Sequence, residues 1–117
     1  MPRRRKLPDY VTLKIPTYEP ADNPLELIFD GRSLEIAYKV LERIKKQGRL
    51  YPDDYKEMFK DKSDQVLYFR VIKKMLALKM LRVSSDKSYI LSDGFSNRME
   101  TLAKLWKFQI GDLKDLW

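Results

Sequence analysis

The chain contains no cysteine and no histidine. The first absence excludes a disulfide framework, a thiolate metal site and a cysteine nucleophile. The second removes the commonest general base and the usual zinc or haem ligand. No uncharged run exceeds five residues, too short to span a bilayer. The segment 1–6 is basic, but Asp9 and Lys14 interrupt the residues after it, so no signal-peptide apolar region is expected and the chain reads as cytoplasmic. Asn and Gln together number five, which beside abundant Lys hints at a thermophilic source. No nucleophile–base pair, glycine-rich phosphate loop or metal-ligand cluster is legible. The carboxylate pairs Asp53/Asp54 and Asp61/Asp64 fall at predicted helix starts, where capping accounts for them. The expectation is therefore a protein that is not an enzyme and needs no cofactor.

What is present is charge and a core. In 117 residues, 44% are hydrophobic and 35% charged, with 24 Lys+Arg against 17 Asp+Glu and a formal net charge of +7. That length favours one domain. Residues 1–31 hold five basic and five acidic residues, and residues 88–117 four of each, so both ends sum to zero. Residues 32–87 hold fifteen basic and eight acidic, and the whole excess lies there. A basic field confined to one module is the footprint of a nucleic-acid binder, with a lysine-rich solvated surface as the plain alternative.

Five of the six prolines stand in the first 24 residues and forbid a long helix there. Residues 1–22 thus read as an extended basic arm, within which Val11, Leu13 and Ile15 alternate as one short strand would. Asn23-Pro24-Leu25-Glu26 predicts a short helix ended by Gly31. A second helix is predicted from Ser33 to Gln47, stopped by Gly48, with Leu34, Ala37, Val40, Leu41 and Ile44 inward. Arg49-Leu50-Tyr51 is a connector or a three-residue strand. Pro52-Asp53-Asp54 opens a third helix with Tyr55, Met58 and Phe59 as its apolar face. The longest periodic stretch runs from Ser63 to Leu78, with Gln65, Tyr68/Phe69, Ile72 and Met75/Leu76 inward. Asp64, Leu67, Arg70, Val71 and Lys74 are broadly opposite. The period then changes to two in Leu81–Ser84 and Ser88–Leu91, a hairpin turning at Ser85-Asp86-Lys87. Ser92 caps a last helix carrying Phe95, Met99, Leu102 and Trp106. The fold class is α+β and mainly helical.

The order helix, short strand, helix, turn, helix, hairpin, helix resembles the winged helix-turn-helix family of DNA-binding domains. The likeness covers residues 33–108 and is similar to small archaeal and bacterial transcription regulators. Its most specific stretch is LYFRVIKKMLALKMLRVSSDKSYILSDG, residues 67–94. Phe69 to Met75 resembles a recognition helix, Met80-Leu81-Arg82-Val83 the approach to the wing, and Tyr89-Ile90-Leu91-Ser92 with Gly94 its end. Two positions depart from the pattern. Lys79 stands where glycine is usual before the wing, because the backbone turns left-handed there, and only Asp93 separates Leu91-Ser92 from Gly94.

The resemblance implies a winged helix-turn-helix core over 23–92 with a two-stranded wing. Its recognition helix, residues 63–78, would lie in the major groove of double-stranded DNA. A helix about 10–12 Å across suits a groove about 12 Å wide. Ser63, Gln65, Tyr68 and Arg70 are the candidates for reading bases, with Lys62, Lys73 and Lys74 on phosphates. Arg82 and Lys87 would place the wing on backbone or minor groove. Arg3, Arg4 and Arg5 in the arm add phosphate affinity, enter a minor groove, or have no role; the first is the working expectation. Residues 93–117 form a C-terminal helix and tail. Phe95, Met99, Leu102 and Trp106 are expected to pair with a second copy, the alternative being a monomer whose tail folds back. The rival function is a winged-helix interaction module docking a partner of the transcription or replication machinery. A cytoplasmic, nucleoid-associated regulator is the leading expectation.

Overall fold

The fold is taken from a computed structural model, which describes residues 7–17 and 22–111. Asn23 opens the turn that leads into the folded part: its side-chain oxygen accepts from the Leu25 amide at 3.0 Å. The segment behind it, Pro24–Leu27, is a single 3-10 turn and not the helix expected up to Gly31. It ends early because the next two residues, Ile28 and Phe29, enter the core. Gly31 does the opposite of what the sequence predicts: with φ +54° it starts helix α1, Gly31–Gln47, behind Asp30 as N-cap. Ser33 therefore sits in the first turn and caps nothing. Gly48 does close α1, at φ 85°.

Helix α1 buries Ile36, Ala37, Val40 and Ile44. Ile36, absent from the expected stripe, is fully buried, while Leu34 and Leu41 flank the core half-exposed. Full burial of such a side chain is worth about 1.5–3 kcal/mol. Helix α2, Asp54–Met58, is a short turn-and-a-half ending on buried Phe59. After the turn 59–61 comes helix α3, Lys62–Ala77, packed across α1. Tyr68 joins α2 to α3 through rings: its centroid lies 5.5 Å from Tyr55 and 5.7 Å from Phe59. Val71, expected on the outer side, is buried with Tyr68, Ile72 and Met75, in the core cluster that also holds Phe29.

Strands β1, Leu81–Val83, and β2, Tyr89–Leu91, pair antiparallel with Leu81 opposite Leu91 and Val83 opposite Tyr89. Leu50 adds one bridge on the far side of β2, exchanging both backbone hydrogen bonds with Tyr89 at 2.8 and 2.9 Å. The segment 49–51, expected as a connector or a three-residue strand, thus contributes one isolated bridge. Lys79 takes the left-handed backbone, φ 65°, without being glycine. Residues 11–15 form no strand; Lys14 donates one backbone bond to Leu27 at 2.6 Å, and Val11 and Leu13 rest on the core. The last helix, α4, Gly94–Ile110, buries no residue. The whole is α+β, mainly helical, with a two-stranded sheet and a C-terminal helix in a winged-helix-like layout. Among the described residues no helix is long and apolar enough to cross a membrane.

Candidate nucleic-acid interface

At 100° per residue, the outer side of α3 is one arc of about 120°. It carries Lys62, Ser63, Val66, Arg70, Lys73, Lys74 and Ala77. Lys62, Ser63, Val66, Arg70 and Lys74 are exposed and Lys73 is half-buried. On the wing, Arg82 and Lys87 are both exposed, and Lys87 holds the tip in a left-handed turn at φ 70°.

The electrostatics of this face depend on where the acids are held. Six of the eight carboxylates in 32–87 pair with four cations of the scaffold: Glu35 and Asp64 with Arg32, Asp54 and Glu57 with Arg43, Asp53 with Lys56, and Asp86 with Arg49. Arg32 grips Asp64 with two donors, Nε at 3.0 Å and Nη2 at 2.6 Å. Those bonds hold the Asp64 carboxyl below its ordinary range and raise the guanidinium. A carboxylate on α3 is thereby neutralised from α1. In the wing, the Ser88 hydroxyl and amide donate to Asp86 at 2.5 and 3.1 Å, and Arg49 adds a bond at 2.6 Å. Together they lower its carboxyl to about 2. Among the described residues, Lys62, Arg70, Lys73, Lys74, Arg82 and Lys87 make no ion pair. The Lys74 ammonium lies 5.7 Å from the centre of the Phe29 ring, a contact that leaves its charge intact.

Two of the expected base readers are elsewhere. Tyr68 is 1% exposed, on the far side of α3 from the arc, and serves as the hub of the aromatic cluster. Gln65 is half-buried and donates to the Phe59 carbonyl at 2.8 Å, tying the end of α2 to the start of α3. Nearness to a helix start does not by itself turn a side chain outward; the packing of the helix on its core does. Val66 was missed. It is 51% exposed between Lys62 and Arg70, and the period that places those two would have placed it. Arg3, Arg4 and Arg5 lie outside the described residues. Pro8, two residues after Lys6 in the sequence, lines one cavity with Leu67, Arg70 and Lys74.

Of the expected dimer residues, Phe95 is half-buried against the core and Met99 half-buried. Leu102 and Trp106 are 54% and 64% exposed, in company with Leu105 and Phe108. No group of His, Cys, Asp and Glu among the described residues could hold a metal ion.

A family model described as an archaeal family matches residues 18–112. The chain belongs to this archaeal family. No curated protein and no solved structure matches it. The match takes in every helix and both strands of the fold, so the layout is that of the family's shared region.

Proposed function

We propose that the protein binds double-stranded DNA as a winged helix-turn-helix transcription regulator, laying the outer arc of α3 in the major groove. The observation that carries this reading is the charge left on one face: four scaffold cations pair with six of the eight acids of residues 32–87, and the outer face of α3 and the wing keep six cations without ion pairs among the described residues, beside Lys39, Lys45 and Lys46 on α1. Lys62, Lys73 and Lys74 face phosphates. Arg70 offers the forked donor that pairs with guanine, and Val66 an apolar tip suited to a thymine methyl. Arg82 and Lys87 follow the backbone or minor groove, and the basic residues 3–6 add phosphate affinity. Two copies paired through Met99, Leu102 and Trp106 on α4 present two recognition helices, with half-sites about 34 Å apart. In a cell such a protein is nucleoid-associated.

The test is fluorescence anisotropy with random and selected duplexes. Six unpaired cations predict an affinity that falls about a thousandfold between about 50 and 200 mM salt. Selection from a random duplex library should return a two-fold-related motif. Salt-insensitive binding, or none, overturns the reading. The second reading, docking to a protein of the transcription or replication machinery, is favoured by the exposed apolar side of α4; it predicts a stable complex with a partner chain and weak salt dependence.

A further inference from the structure

Between the start of α1, the arm and α3 lies a cavity of about 410 Å³. Its floor is apolar: Phe29 and Val71 belong to the core, and Leu67 is half-buried beside them. Its rim is cationic, with Arg70, Lys73 and Lys74. Ser33, in the first turn of α1, brings a hydroxyl. Of the carboxylates around it, Asp30 pairs with Lys14 at 3.0 Å and Asp64 with Arg32 at 2.6 Å, and Asp9, next to Pro8, lines the adjoining cavity with Lys74. Asp30 makes no side-chain cap on the amides of α1, so the positive end of that helix dipole adds to the rim. The size falls in the range of small-molecule sites, about 300–1,000 Å³, and an apolar floor with a few convergent polar groups is their usual composition.

We propose that this cavity binds a small aromatic carboxylate, its ring on Phe29, Leu67 and Val71 and its carboxylate on Arg70, Lys74 and the Ser33 hydroxyl. A neutral ring leaves the cations unused, and an inorganic anion leaves the floor wet. Resting on the proposed DNA binding, the site also regulates: Arg70 and Lys74 serve both ligands, so aromatic acid and duplex weaken each other by the same factor.

The experiment is an amide NMR titration of the full chain with 1-naphthoate, beside 1-naphthalenemethanol and inorganic phosphate. Saturable shifts are expected at Ser33 and across Leu67–Lys74, with Leu102–Ile110 silent. The neutral alcohol and phosphate should bind about tenfold more weakly or worse, as should naphthoate to Arg70→Gln. Leu67→Trp, which fills the cavity, should abolish binding while the amides of the wing and α4 keep their positions. Shifts confined to α4, no shifts at the solubility limit, or equal binding of the neutral alcohol overturn the assignment. Adding naphthoate to a formed duplex complex should release DNA; a complex that holds both without mutual weakening overturns the regulatory part. A chain that takes naphthoate but no duplex keeps the ligand site and refutes the DNA reading instead.

Discussion

Helices α3 and α4 are nearly equal in length, sixteen and seventeen residues, and both carry apolar side chains at helical spacing. One buries Tyr68, Val71, Ile72 and Met75, and the other buries none. Periodicity specifies a helix with a sticky side, but not that anything covers it. For α3 the cover is α1 and the aromatic cluster. Among the described residues, α4 meets the rest of the fold at its first turn, where Gly94 and Phe95 touch Lys79 and the core. The Cα radius of gyration, 16.8 Å, exceeds the roughly 13 Å of a compact chain this long, in keeping with a helix that stands away.

The sharpest way to break this contrast is to remove one ring from each helix. Tyr68→Ala should cost about 3–5 kcal/mol in urea unfolding. Trp106→Ala, measured at micromolar or lower protein concentration, should change stability by less than about 0.5 kcal/mol. If both cost the same, α4 is covered in solution. Raising the concentration sharpens the test: sedimentation should show a dimer that Leu102→Glu dissolves.

Next comes the joint between the two helices. A Cβ on Gly94 would stand 2.6 Å from the Cβ of Lys79, so Gly94→Ala should destabilise by about 1–3 kcal/mol and shift the amides of α4's first turn. Lys79→Gly relieves a left-handed lysine and should stabilise by up to about 1 kcal/mol. In the double variant part of the Gly94→Ala cost should disappear.

Charge separates the helices in a third way. Lys73→Glu with Lys74→Glu should weaken duplex binding at least about tenfold and leave the melting temperature nearly unchanged. The same reversals at Lys104 and Lys107 on α4 should leave affinity as it was. If the α3 reversals do nothing, α3 is not the DNA-facing element.

The smallest effect is acid sensitivity confined to the α3 and wing side. Asp64 and Asp86 are both held below their ordinary value, Asp86 at about 2 against 3.8. A lowered folded value means stabilisation that is complete above 3.8 and is lost as pH falls from there toward 2. The Ser88 amide resonance should move in that window while those of 102–110 do not. Asp86→Asn should remove most of that movement.

The elements of the fold could be read closely because their signals are local. Gly48 after a periodic run, Pro52-Asp53-Asp54 before one, and the change of period at Leu81 mark boundaries through φ preference, dipole and alternation. The failures were positional. Gly31 reads as a stop and proves a start, since its positive φ serves either role and only the burial of Ile28 and Phe29 decides between them. Gln65 and Tyr68 stand near the start of a helix with exposed cations, yet their direction depends on which side of α3 meets α1 and α2. The cavity under Arg70 was not legible, because Ser33, Phe29 and Val71 are brought together only by the packing of α1 on α3.

Composition and local pattern alone determined that the chain is basic in its middle, mainly helical, hairpin-bearing and free of cysteine and histidine chemistry. Those properties depend on residue type and on neighbours a few positions apart. Tertiary structure alone decided which acids cancel which bases, which side of α3 is left cationic, and that α4 is left uncovered among the described residues. Each of those depends on residues far apart in the chain, such as Arg32 with Asp64 or Arg49 with Asp86, whose encounter no local preference encodes.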